Sequence, residues 1–206
     1  MSSNYLTADN GVSSGVTGIT QSAGNDGTLQ IRTTTSGGTA TTALTINNNQ
    51  QVTFANAIVP NNTSGIVGVT DGSNANAGVV GEYISAQVTA PTTGLTSTST
   101  TNVTSISLTA GDWDVWGVVS YSYNTGTIAT KTFAGISTTS STLSSAAAGY
   151  SALIDATQTA GDGLTMVAPP LRINVSTTTT VYLIGYCTFT VSTAGIGGFI
   201  RARRVR

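Results

Sequence analysis

With 206 residues, only 7% of them charged and a formal net charge of −1, the chain is long enough to bury a sizeable core, but its overall field gives no pull toward nucleic acid or a membrane surface. It contains no histidine, which removes the commonest general base, the Ser-His-Asp and Cys-His arrangements and the commonest metal ligand together. Polarity comes instead from Thr, Ser, Asn and Gly, while 39% hydrophobic residues argue against disorder for most of the length.

Scarce charge also bears on the sheets. Strands rich in β-branched residues and poor in like charges pair readily between molecules, so open edges should be hidden, most simply by oligomerisation. The opening residues, MSSNYLTADN, have neither a basic n-region nor an apolar h-region, and no apolar run approaches ~18 residues. We therefore expect no signal peptide and no membrane insertion. A cytoplasmic origin follows, with release by lysis if the protein ends outside a cell.

Residues 1–27 hold isolated apolar positions at Leu6, Val12, Val16 and Ile19, which fit an extended arm or short strands. From residue 28 the pattern sharpens. Leu29, Ile31 and Thr33 alternate, Ser36-Gly37-Gly38 turns the chain, Leu44 and Ile46 alternate again, Asn47-Asn48-Asn49 turns it once more, and Val52 and Phe54 make a third short strand. Three such strands are too thin to be stable alone and need partners.

The run GTLQIRTTTSGGTATTALTINNNQQVTFANAIV, residues 27–59, resembles the short β modules of bacteriophage tail-fibre and related virion-fibre proteins. That resemblance implies three chains wrapped together, which would supply the missing partners.

Pro60 to Gly65 and Asp71 to Gly78 are breaks, so residues 61–80 read as a linker between an N-terminal module (1–60) and a C-terminal domain (81–206). Strand signals then follow at 80–88, 96–108, 113–123, 130–137, 171–175, 181–191 and 199–205, with a short helix at Ser144 to Ile154 as the one helical candidate. The stretch from Val103 to Tyr123 anchors the domain. Ile106, Leu108 and Ala110 alternate with polar residues up to a turn at Ala110-Gly111-Asp112; beyond it Trp113, Val115, Gly117, Val119, Tyr121 and Tyr123 share one face, and Trp116 and Val118 the other. A strand apolar on both faces belongs in the middle of a sheet. Cys187, inside an apolar alternation, reads as a small buried hydrophobe that cannot form an internal disulfide.

The segments GEYISA (81–86), NVTSISLTAGDWDVWGVV (102–119), AGISTTS (134–140), TTVYLIGYCTFTVST (179–193) and the terminal IRARRVR resemble a domain of small phage and prophage structural proteins. The alternation through Val181, Leu183, Gly185, Cys187, Phe189 and Val191 is similar, in architecture alone, to the trimeric jelly rolls of the tumour-necrosis-factor and C1q type.

Candidate chemistry is sparse. Asp112 and Asp114 flank Trp113 and could be a carboxylate pair, a calcium ligand set or a solvated turn, and Asp71-Gly72-Ser73-Asn74 is half of a calcium loop without its downstream acid. Neither nominates a metal, and no cofactor is expected. Nothing in the spacing of the acids selects the facing pair that glycoside cleavage requires, so the chain reads as no enzyme. Two sets of residues are candidates for contact. Arg201, Arg203, Arg204 and Arg206 hold four of the seven basic side chains, leaving −5 on the rest; they either pair with acids of the same or a neighbouring subunit, or meet a phosphate or carboxylate on another virion protein or a glycolipid. Trp116, Tyr121, Tyr123 and Tyr150 either form a sugar-binding platform or pack in the core and at a subunit interface.

The expectation is an all-β chain: a thin N-terminal β module, then a jelly-roll-like β-sandwich, trimeric. By resemblance it is a virion surface protein that docks to other virion proteins through its N-terminal arm and attaches to a host surface glycan or protein as a tail fibre. A head fibre or capsid decoration is the alternative, which the short chain favours; a polysaccharide depolymerase and a non-viral adhesin rank lower.

Overall fold

A computed structural model describes residues 28–34, 40–56, 58, 71–159, 161 and 163–206. The chain divides into two compact units, Met1–Gly68 and Val69–Arg206. The described residues form strands and turns, with no helix among them.

In the first unit β1 (Leu29–Thr34), β2 (Ala40–Ile46) and β3 (Val52–Phe54) make one antiparallel sheet in that order. The turn before β3 is built by Asn47, whose Oδ1 accepts the backbone N–H groups of Asn49 and Gln51, both at 3.0 Å. Cross-strand register places Leu29 opposite Ile46, Ile31 opposite Leu44, Leu44 opposite Phe54 and Ile46 opposite Val52. Directly opposed residues share a face, so six apolar side chains line one side of this sheet. Ile31 is 53% exposed and Phe54 46%.

The second unit is a two-sheet antiparallel β-sandwich. One sheet runs β10 (Gly163–Val175), β6 (Gly111–Tyr123), β12 (Ala194–Arg204), β4 (Tyr83–Gly94). The other runs β5 (Thr100–Leu108), β11 (Thr179–Thr190), β7 (Ile128–Ser137), β8 (Ser151–Ile154), with β9 (Gln158–Thr159) also on β7. The sequence from Val103 to Tyr123 therefore crosses between sheets: β5 ends in one, and β6 enters the middle of the other. Trp113, wholly buried, fixes this corner by donating its indole N–H to the Thr109 carbonyl at 3.0 Å.

Alternation assigns the core as expected. Trp113, Val115, Val119, Tyr121 and Tyr123 point inward from β6 to meet Leu183 and Cys187 of β11 and Ile196 and Ile200 of β12. Gly185 leaves the space that Tyr121 uses, since a Cβ there would lie 2.8 Å from the phenol oxygen and 2.0 Å from Ile196 Cδ1. The Tyr121 hydroxyl donates to the Phe133 carbonyl and accepts the Tyr186 N–H at 3.2 Å, which ties the two sheets together at their centre.

One expectation is corrected. Ser144 to Ile154 is not helical: Gly149 stands at φ +78°, and Ser151–Ile154 pairs with β7 instead, because the free edge of β7 supplies hydrogen bonds that a short helix without an apolar stripe cannot match. Both edge strands of the β10-β6-β12-β4 sheet carry proline. Pro91 lies in β4 and Pro169-Pro170 in β10, the two outermost strands of their sheet, and the register breaks between Ala168 and Leu171. Proline has no N–H to offer a neighbour, which weakens further pairing at these positions.

Candidate contact surface

The outer face of the β10-β6-β12-β4 sheet gathers the unusual side chains. Register sets Arg172, Asp114, Arg203 and Tyr83 in one row across the four strands, Trp116, Arg201 and Ser85 in the next, and Val167, Val118, Phe199 and Gln87 in a third. Period-2 alternation on β6 and β12 turns these residues away from the core. Arg201 lies between two rings, its guanidinium carbon 5.0 Å from the Trp116 centroid and 5.0 Å from that of Phe199. Its Nε is buried without a hydrogen-bond partner, so the ring faces are what solvate that side of the cation. Val167 and Tyr83 flank the pair, both exposed. A cleft of about 280 Å³ lined by Val80, Asp114, Arg203, Arg204 and Val205 lies beside the row that holds Arg203.

The four arginines thus have different environments. Arg201 is stacked and Arg203 is exposed on the same face. Arg204 points inward: its Nε donates to Glu82 Oε2 at 2.9 Å, its Nη1 to the Ala110 carbonyl at 2.7 Å, its Nη2 to Thr109 Oγ1 at 2.5 Å, and its guanidinium lies 4.3 Å from the Trp113 centroid. Buried and fully engaged, it is no surface contact. Arg206 reaches Asp112 at 2.9 Å.

Asp112 and Asp114 flank Trp113 on β6, but the two differ. Asp114 is exposed, whereas Asp112 is covered by the side chains that bind it: Arg172 donates Nε to Oδ1 at 2.8 Å and Nη2 to Oδ2 at 2.6 Å. This cover is thin, for Arg172 and Arg206 are themselves largely exposed. The bidentate bond from Arg172, joined by the charges of Arg172 and Arg206, holds the Asp112 carboxyl below the usual range against its own desolvation. Asp71 is lowered too, by hydrogen bonds from Ser73, whose N–H reaches its carboxylate at 2.9 Å. Among the described residues no three His, Cys, Asp or Glu side chains cluster as a metal site.

The four candidate aromatics do not form a platform. Tyr121 and Tyr123 are buried in the sandwich, Trp116 lies on the opposite face of the same strand, and Tyr150 is exposed in the segment before β8. The two-residue period that separates Trp116 from the tyrosines is the reason. Burial pushes the Tyr123 hydroxyl up to about 12, raises that of Tyr121 as well, and raises the Cys187 thiol. What structure adds to the contact face is Phe199, Tyr83, Val118 and Val167. The alternation Phe199-Arg201-Arg203 carried that signal in the sequence; the pairing of β12 with β6 and β4 did not show there.

The fold defines an all-β chain: a small three-stranded sheet, then an antiparallel β-sandwich. No family model matches the chain, and no curated protein matches it. Among solved structures it is distantly similar to that of the infectious bursal disease virus Gx strain, with 13% identity, a TM-score of 0.34, and coverage of 60% of this chain and 30% of that one. The VP2 subviral particle of the same virus is similar at 14% identity and a TM-score of 0.33, again over 60% of this chain and 30% of that one. A mutant VP2 in T=1 particles has 14% identity and a TM-score of 0.32, over 59% and 29%. The chain spans under a third of the length of these proteins.

Proposed function

We propose that the chain is a non-enzymatic structural protein of a phage particle, displayed on its surface as a homotrimer and serving in host attachment as a tail fibre. What carries the reading is the aligned apolar face of β1, β2 and β3, on the very segment that resembles fibre modules. A thin sheet with six apolar residues on one side is stabilised when copies of itself cover that side, and a trimer supplies them. The Trp116–Arg201–Phe199 face serves as the second contact, toward another virion protein or a host surface, because aromatic and arginine side chains supply most of the energy of protein interfaces. Glu82 and Asp112 are each neutralised by arginine, which suits a framework role better than acid–base chemistry.

The alternative placement is on the capsid, as a head fibre or decoration. Gold-labelled antibody against residues 81–206, applied to intact particles, separates them. Label at the tail tip supports attachment, label over the capsid supports decoration, and particles without label overturn both.

A further inference from the structure

Where β10 runs past the end of β7 the two sheets part and leave a cleft of about 340 Å³, at the lower end of the size range of small-molecule sites. Its floor is apolar, made by buried Ile136 and half-buried Leu171 and Ile173. Its rim carries Thr138, Ser144 and Thr142, whose hydroxyl donates to the Ser140 carbonyl at 3.1 Å and is left to accept from a ligand, and the ring of Tyr150, 48% exposed.

The rim is held in place before any ligand arrives. Asn102 donates Nδ2 to Ser140 Oγ at 2.8 Å and accepts the Ser141 N–H on Oδ1 at 2.8 Å. The Thr100 hydroxyl donates to the Ser141 carbonyl, and that of Ser151 to the Ser144 carbonyl at 2.8 Å. Ser141 stands at φ +50°, a conformation these bonds maintain. Such preorganisation removes much of the ordering cost of binding.

Charge selects the ligand class. Arg172, the cation of the lining, already has Nε and Nη2 on Asp112, so the cleft presents hydroxyls, an aromatic ring and an apolar floor rather than an unpaired charge. A sugar ring without a carboxylate offers the matching surface: C–H patches for Tyr150 and the floor, hydroxyls for the threonines and Ser144. We infer that this cleft binds a neutral pyranose. The inference deepens the attachment reading and rests on it for where such a sugar is met; the site itself rests on the cleft.

The test uses the full chain with methyl glycosides of glucose, galactose, mannose and N-acetylglucosamine, and with methyl glucuronide and N-acetylneuraminic acid as anionic comparators, read by saturation-transfer NMR and titration. At least one neutral glycoside should bind, and Tyr150→Ala and Thr142→Val should each weaken it by about tenfold, equivalent to about 1.4 kcal/mol, with unchanged melting temperature. No transfer to any neutral glycoside, binding that survives both substitutions, or preference for the acids would each overturn the cleft. Adsorption of the chain to host cells separates the two readings. Sugar binding lost in Tyr150→Ala with adsorption unchanged keeps the cleft and removes its part in attachment; adsorption with no glycoside bound keeps attachment and removes the cleft.

Discussion

Glu82 and Arg204 meet as a buried ion pair, 2.9 Å from Oε2 to Nε, joining the residue just before β4 to the last residue of β12. Backbone bonds reinforce the junction: Gly81 N–H donates to the Arg204 carbonyl at 3.0 Å, and Arg204 N–H to the Glu82 carbonyl at 2.9 Å. The pair closes one end of the sandwich over Trp113.

Arg204→Ala should therefore destabilise the domain by about 3–5 kcal/mol, because Glu82 would be left buried without its partner. The double substitution Glu82→Gln with Arg204→Met should cost less than the single one. Urea denaturation of the three proteins checks the order.

Acid should act through Asp112. Its folded-state carboxyl is held below the unfolded value, so its contribution to stability is present above about pH 4 and fades as pH falls toward the depressed folded value. Melting temperature against pH should decline through that window, and Asp112→Asn should flatten the decline relative to the unsubstituted chain. Parallel curves for the two proteins would show that Asp112 is not responsible.

Gly198 tolerates no side chain. At φ +150°, a Cβ would lie 2.1 Å from the Val118 carbonyl oxygen, which is sheet backbone and cannot swing aside. Gly198→Ala should cost about 3 kcal/mol, measured by chemical denaturation.

Trp116→Ala and Arg201→Ala belong to a different class. Their mutual stacking is on the sheet exterior, so each should alter stability by about 1 kcal/mol or less, while weakening adsorption to host cells or particles. Unaltered adsorption by the double variant would remove this face from the functional account.

Much of the fold was legible because alternation survives in strands that are buried on one side. Trp113 to Tyr123 announced both its faces, and Asn47-Asn48-Asn49 its turn. The first half of β10 is hard to see in the sequence because Pro169-Pro170 interrupt the strand pattern, although they sit at a bulge on an edge strand. Ser151–Ile154 was missed because its strand character comes from the edge of β7, not from its own residues. The contact face required knowing that β12 lies between β6 and β4, a long-range pairing that no local pattern carries; Glu82 and Arg204 are 122 positions apart.

The thin sheet gives the most direct measurement. Native mass spectrometry of the full chain, with sedimentation velocity over a wide dilution range, should show a trimer, and Phe54→Asp or Ile31→Asp on the apolar face of β1, β2 and β3 should convert it to single subunits whose β-sandwich stays folded. An unsubstituted chain that is monomeric at every concentration, with a melting temperature indifferent to dilution, contradicts the self-covering sheet and the fibre built on it.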